Sequence, residues 1–471
     1  FRSLLDHLAT DVESRAILLY LDRFHAAGAF MSAARAAARV KPVIALVPRT
    51  PEGERRAHSH AGAMAGSDAF IDAALARAGV IRIHTVKELF DAAEVLEHGP
   101  RMRGERIAVL TNSGAAGKLA LDALGRTATP LAVPGPETAA RLAELGIRSD
   151  GVEGRPLQLP PEATGAGYEA AARALLADRA VDALLALNCP SAFSRPAEAA
   201  EGLATAATAH AKGNYRAKPL LASWLGGGNA EEGRRVLDKA GLAVFQTPAE
   251  AATAWSYLVT RARAEARLLR VPPSVPEGEP PDWETARAAI AEAVSRGARV
   301  LNEAEAKTVI RAAGIRTVRT LRAATPEEAE EAASSLAAEG VASFAVKALS
   351  DELVHKSDAG GVILDLENPA AVGAATRRML DDVARAAPAA RIDGVTVQEM
   401  IRRPQGHELI AGIAEHPVFG PAVLFGAGGL AVEVVDDKAL ALPPLDMTLA
   451  RDLIGQTRIA RLLEGYRRRP A

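Results

Sequence analysis

The chain of 471 residues has a single cysteine, Cys189, which excludes an internal disulfide and a cysteine-built zinc site and fits a reducing compartment. Beside the turn at Pro190, Cys189 reads as structural. Aromatic residues make up 4%, so large rings contribute little to the cores. There is no excess of positive charge: 56 Lys and Arg face 58 Asp and Glu. That balance denies nucleic acid the basic field that binding a phosphate backbone requires. No run approaches the roughly 18 consecutive apolar residues that would span a bilayer. The opening FRSLLDHLATD has neither a basic region nor a cleavage site, so the expected setting is cytoplasmic, with no membrane partner. No Walker sequence GxxxxGK(S/T) occurs. What remains is an ordinary globular composition, 49% hydrophobic and 24% charged, with length for about three domains.

Helix and short apolar strand alternate over residues 1–103, with strands expected at AILLYL (16–21) and PVIALVP (42–48). Such alternation predicts a parallel α/β layer. A second round of the same kind occupies residues 104–270, through RIAVLTNSGAAG from Arg106, VDALLALN (181–188) and KPLLASWLGGG (218–228). Residues 271–283, VPPSVPEGEPPDW, hold five prolines in 13 positions and read as a linker. Over 284–471, strand-like SFAVKAL (343–349), GGVILDL (360–366) and GVTVQEMI (394–401) alternate with charged helices, which predicts an α+β or mixed sandwich.

Several residues stand where chemistry is expected. His60 lies among small residues in HSHAGAMAGSDAF, ahead of an amphipathic helix; taken alone it reads more simply as a surface or capping histidine. Asp22 follows AILLYL at the carboxyl end of a strand, where parallel-sheet active sites lie. A carboxylate there can accept a hydrogen bond from the Nδ1–H of a histidine, fix its tautomer and leave Nε2 as nucleophile, although a turn residue is the simpler reading of Asp22 by itself. In TNSGAAGKLALDAL (111–124), Thr111, Asn112, Ser113 and Gly114 form a small-residue turn between strand and helix, where free backbone N–H groups attract an anion. Ligand-free α/β proteins use the same turn. Lys347, one of ten lysines, lies in an apolar strand, where its ammonium needs an anionic partner. VHKSDAGGV brings His355, Lys356 and a Gly360–Gly361 turn together, QEM and GHEL supply Glu399 and Glu408, and FGAGG (425–429) offers a close-approach backbone. Lysine, paired acids and glycine turns are the parts a nucleotide with Mg²⁺ requires. The glycine run LGGGN (225–229) reads as a turn.

Together these segments resemble the ADP-forming acyl-CoA synthetases, the acetate–CoA ligase branch of the succinyl-CoA synthetase superfamily. SHAGAMAG (59–66) fits the family's phosphohistidine stretch, LLYLD puts Asp22 where the family has a supporting glutamate, and TNSGAAG is similar to its phosphate-facing helix start. HKSDAGGV, VQEM and HPVFGPAVLFGAGGLAVE resemble its ATP-grasp part, and LPPLDMTLAR (442–451) is especially like members fused to a GNAT-type lysine acetyltransferase. RPLQL (155–159) departs from the family's Asn-Pro-(Val/Leu)-Asp-Leu. The resemblance implies two flavodoxin-like doubly wound domains followed by an ATP-grasp domain, and an acid-thiol ligase working through acyl phosphate. It implies ATP/ADP, Mg²⁺ and coenzyme A, a small carboxylic acid or acyl-CoA with phosphate as substrates, and a homodimer. His60 would carry the phosphoryl group with Asp22 behind it, and His355 would be a second way-station. Lys347 would meet nucleotide phosphates, Glu399 the adenine hinge, and Glu408 the nucleotide site. The Mg²⁺ ligands stay unassigned. A CoA-binding Rossmann domain is expected before Phe1 and an acidic-Asn-Pro segment after Ala471, so the chain is expected to be one section of a longer protein. The alternative is an acyl-CoA- or nucleotide-sensing region that regulates a fused acetyltransferase.

Overall fold

The structure is a computed structural model describing residues 1–48, 67–98, 102–147, 155–193, 195–212, 217–270, 280–350, 360–388, 390–403, 406–429 and 436–465. It is mixed α/β, with parallel sheets in its first half. The chain divides into two compact units, one formed by Phe1–Pro272 with His407–Ala471 and the other by Pro273–Gly406.

The first unit opens with three parallel strands, β1 (Ile17–Tyr20), β2 (Val43–Leu46) and β3 (Ile81–Ile83), in the order β1-β2-β3. β1 is an edge strand and alternates buried with exposed residues, whereas β2 is buried throughout. Five further parallel strands follow: β4 (Ile107–Thr111), β5 (Leu157–Gln158), β6 (Ala183–Asn188), β7 (Leu220–Trp224) and β8 (Ala243–Phe245), in the order β5-β4-β6-β7-β8. Relabelled within the sheet this is 2-1-3-4-5, the flavodoxin-like order. β4 (IAVLT) and β6 (ALLALN) are buried along their whole length, as strands covered by helices on both faces must be. One core joins the two sheets: Ile44, Ile81 and Val95 pack in the same cluster as Ile107, Leu185 and the wholly buried Trp255 of helix Pro248–Leu268. That helix starts at a capping box, with Thr247 and Glu250 satisfying each other's backbone N–H groups.

The second unit is a four-stranded antiparallel sheet of β9 (Thr320–Ala323), β10 (Phe344–Ala348), β11 (Val362–Leu366) and β12 (Val395–Glu399), in the order β11-β10-β12-β9. Helices Pro326–Ala338 and Pro369–Ala386 cover one face, burying Phe344, Val346, Val395 and Val397 against Leu336 and Met379. Lys347, Thr396 and Gln398 belong to the opposite face by strand alternation.

The first unit closes with β13 (Leu409–His416), β14 (Gly420–Ala427) and β15 (Lys438–Ala441), an antiparallel meander. Its Ala414, Ala422, Leu424, Leu440 and Leu442 pack on Phe70, Ala73 and Ala74 of helix Ser67–Ala78. By its contacts, the stretch 407–471 groups with the first unit, where this apolar face is buried.

A cavity of about 190 Å³ opens at the amino-terminal edge of the five-stranded sheet, lined among others by Val95, Leu221, Leu258, His210 and Lys218. Burial, helped by the charge of Lys218, holds the His210 imidazole below its ordinary value of 6.5, and burial does the same to His416. His210 Nε2 accepts the backbone N–H of Lys218 at 2.9 Å, a bond that a protonated ring cannot accept. Folding therefore favours the neutral rings. Their contribution to stability is complete above pH 6.5 and is lost as pH falls through the lower folded values. The thermal midpoint is expected to fall as pH drops below 6.5, and His210→Gln is expected to flatten that slope. Thermal scans across this range check it.

Candidate functional site

The strand order of the five-stranded sheet reverses between β4 and β6, and in open α/β sheets ligands bind outside the carboxyl ends at such a switch point. Thr111–Gly114 occupy that position. Asn112 is 7% exposed, and both ends of its amide reach across the switch: Nδ2 donates to the Cys189 carbonyl at 2.9 Å, and Oδ1 accepts the Cys189 N–H at 2.8 Å. Its side chain thus stitches the end of β4 to the end of β6. Cys189 takes part through its backbone, in keeping with a structural reading.

Thr111 Oγ1 donates to the Ser113 carbonyl and accepts the Ser113 N–H, at 3.1 and 3.0 Å. Ser113 is the N-cap of helix Gly114–Arg126, accepting the Ala116 N–H. Helix geometry leaves the N–H groups of Gly114 and Ala115 without intrahelical acceptors. Glycine at 114 and 117 answers to close approach. A Cβ at Gly114 would lie 2.9 Å from Gln158 Oε1, and one at Gly117 2.7 Å from the Pro156 ring. RPLQL therefore runs directly over this helix start. At the same edge of the sheet, Asn188 Oδ1 and Ser223 Oγ are buried with no hydrogen-bond partner. Asn188 and Ser223, absent from the sequence reading, are polar positions within the otherwise apolar runs of β6 and β7.

Asp22 follows β1 at the carboxyl edge of the three-stranded sheet. Its carboxylate is 74% exposed and lies 3.7 Å from Arg23 Nε. His60 and His355 lie outside the described residues. The described chain on either side of the His60 segment is tied by Arg82 of β3, whose side chain is 6% exposed. Its guanidinium donates to Asp68 at 3.0 Å and to Asp72 at 2.8 Å in helix Ser67–Ala78, with the Val47 carbonyl 3.5 Å away.

In the second unit, the anion that Lys347 needs is Glu303 of helix Glu303–Ala312, 2.9 Å away. Glu303 Oε1 also accepts from Lys307 at 2.8 Å. Lys307 reaches Thr320 at 2.9 Å and the Gln398 side chain as well. Burial works against the charge of Glu303, yet hydrogen bonds from Lys307 and Lys347 hold its carboxyl below the ordinary 4.5. Glu399 closes β12 opposite Phe344, so Gln398, rather than Glu399, shares the face of Lys347. In the first unit, Glu408 precedes β13, and a Cβ at Gly429 would lie 2.8 Å from its Oε2. The FGAGG glycines are what allow that approach. Among the described residues no group of three or more His, Cys, Asp or Glu gathers as a metal site.

Residues 1–96 match the succinyl-CoA ligase like flavodoxin domain and residues 292–471 the ATP-grasp domain. An acetate–CoA ligase [ADP-forming] I of Archaeoglobus fulgidus is 32% identical over 468 residues, 98% of this chain and 64% of that protein. The chain thus spans just under two thirds of that relative. The beta subunit of acetate–CoA ligase [ADP-forming] I of Pyrococcus furiosus is 32% identical over 169 residues, 36% of this chain and 70% of the subunit. Among solved structures, the dinucleotide forming acetyl-coenzyme A synthetase 1 of Ca. Korarchaeum cryptofilum, in complex with phosphate and ADP, matches with a TM-score of 0.51 and 29% identity. The match covers 57% of this chain and 58% of that one. A flavodoxin-like sheet in the first half, an ATP-grasp match in the second and a subunit matched over most of its length converge, and the chain belongs to the ADP-forming acetate–CoA ligase family.

Proposed function

We propose that the chain is the phosphoryl-relay and nucleotide-binding part of an ADP-forming acyl-CoA synthetase. The observation that carries this reading is the switch-point turn Thr111–Gly114, a helix amino terminus at the carboxyl edge of a doubly wound sheet in a chain of this family. The buried, unpartnered polar atoms of Asn188 and Ser223 at the same edge support it.

In this mechanism a phosphate oxygen attacks the thioester carbonyl of an acyl-CoA; the carbon–sulfur bond breaks and coenzyme A leaves. His60 Nε2 then attacks phosphorus, the bond to the acyl oxygen breaks, and the carboxylic acid departs as its anion. The phosphoryl group passes to an oxygen of ADP. In reverse, ATP drives thioester formation. A neutral imidazole is nucleophilic near pH 7, and the phosphorylated nitrogen stays reactive enough to hand the group on. Asp22 accepts a hydrogen bond from Nδ1–H and so fixes the tautomer, and its exposure leaves it open to a partner from outside β1. The backbone donors at Gly114 steady the transferred charge. Lys347 neutralises nucleotide phosphates, Glu399 and Glu408 serve the adenine hinge and the nucleotide site, and His355 is the second way-station. Mg²⁺, which commonly keeps water and substrate phosphates as most of its ligands, would shield the phosphate oxygens. The assembly in this reading is a homodimer.

The test is detection of acid-labile phosphohistidine by mass spectrometry after incubating the protein with Mg-ATP, with His60→Ala as control. Label on His60 that vanishes on adding ADP is the expected result. No label in folded, nucleotide-binding protein rejects the relay and selects the second reading, a nucleotide- and acyl-CoA-sensing region beside a GNAT-type domain. The similarity of LPPLDMTLAR (442–451) to GNAT-fused members favours that reading.

A further inference from the structure

Lys307 and Lys347 differ in how much of their hydrogen-bonding capacity is committed. An ammonium has three donors. Those of Lys307 reach Glu303, Thr320 and Gln398, so it is a fixed part of the contact between helix Glu303–Ala312 and the sheet. For the ammonium of Lys347, the acceptor among the described residues is Glu303 Oε1, which leaves two donors for an incoming group. The shared carboxylate is itself held in place. Glu303 stands in the first turn of a helix whose start is closed by a capping box between Asn302 and Glu305, and a helix amino terminus favours negative charge. Two ammonium groups share one carboxylate oxygen, so this triad carries one positive charge in excess.

Resting on the assignment of Lys347 to nucleotide phosphates, we propose that Glu303 is the positioning residue of that contact. Pinned by Lys307, it holds the Lys347 ammonium in place while leaving two donors and a net positive charge for an oligophosphate. Glu303 acts through Lys347. A lysine on a four-carbon stem otherwise surrenders its rotamer freedom when the ligand arrives; here that freedom is already restricted in the free protein, which favours affinity.

The experiment is calorimetric titration of the intact protein with Mg-ADP. Glu303→Gln keeps the shape and removes the charge, and its affinity is expected to fall about tenfold. Lys307→Met, which releases Glu303, is expected to match it. The double variant is expected to be no weaker than either single one, because both act through one anchor. Glu303→Asp is expected to recover part of the loss, and Lys347→Met to lose more than any of them. The direction is diagnostic, since deleting a negative charge beside a phosphate site would by charge alone tighten binding. Tighter or unchanged binding in Glu303→Gln, with binding lost in Lys347→Met, overturns the role of Glu303 and leaves the nucleotide assignment standing. Additive losses in the double variant overturn the anchoring chain. Undiminished binding in Lys347→Met overturns the assignment and this role with it. Circular dichroism of each variant controls for folding, and Glu303→Asp with Lys307→Met carry the comparison if Glu303→Gln does not fold.

Discussion

Gly202→Ala is expected to lower stability by about 3 kcal/mol, the upper end of what overpacking a core costs. Gly202 is in helix Pro196–Ala211 and Gly165 opens helix Gly165–Ala177. A Cβ on Gly202 would fall well inside van der Waals contact with the carbonyl oxygen and carbon of Gly165, and a Cβ on Gly165 would meet the Glu198 carbonyl in the same way. Both obstacles are backbone, so no side chain can swing aside, and the helices must separate. Their separation would disturb the cluster beneath, where Tyr168, Ala172, Ala199 and Leu203 are wholly or almost wholly buried. The thermal midpoint is the measurement. A helical glycine without such a contact checks the mechanism: a Cβ at Gly125 would have nothing within 4 Å, and Gly125→Ala is expected to leave the midpoint unchanged or to raise it slightly, since alanine is the better helix former.

Asn112→Ala is expected to cost about 2–4 kcal/mol and, under the proposed function, to remove most of the acyl-CoA synthetase turnover. Two hydrogen bonds disappear at once, and the Cys189 N–H and carbonyl lose their partners in a half-buried setting. The ends of β4 and β6 are no longer tied at the switch point, and the helix mouth beginning at Ser113 loses its fixed place relative to them. Asn112→Asp separates geometry from stability. A carboxylate still accepts the Cys189 N–H but meets the Cys189 carbonyl with no donor, so it is expected to retain part of the structure and little of the rate. Equal loss of stability with full turnover in Asn112→Ala would show that the stitch has no bearing on chemistry.

The fold and the site were legible in the sequence to different depths, and the reasons are physical. The β-α alternation up to Arg270 announced itself because parallel strands buried on both faces, such as ALLALN, must be continuous apolar runs. Strands β13 and β14 did not. Their chain, LIAGIAEHPVFGPAVLFGA, mixes glycine, proline and apolar residues without clean alternation, and β13 has only Ala414 fully buried. Lys347 stands out in the sequence because an ammonium in an apolar strand needs an anion, yet nothing in the sequence points to Glu303. A glutamate in the first turn of a capped helix is commonplace, and only the packing of that helix on the sheet brings it to Lys347. Asn112 was noticed for its place in TNSG, but as part of an anion-facing turn; the partner that absorbs its amide, Cys189, is 77 residues away. Gly202 drew no notice, since a helical glycine acquires its meaning only from the helix that crosses it.

The division into units has a consequence for how the polypeptide is made. Pro273–Gly406 is continuous in sequence and closes its own core, so it can fold as soon as it leaves the ribosome. The first unit has to wait. Its helix Ser67–Ala78 keeps Phe70, Ala73 and Ala74 uncovered until β13, β14 and β15 have been synthesised, the non-local kind of pairing that slows folding. Helix Ser67–Ala78 is therefore among the last elements to reach its final packing although it is made before the second unit, and during synthesis its uncovered face is a surface in need of protection from aggregation.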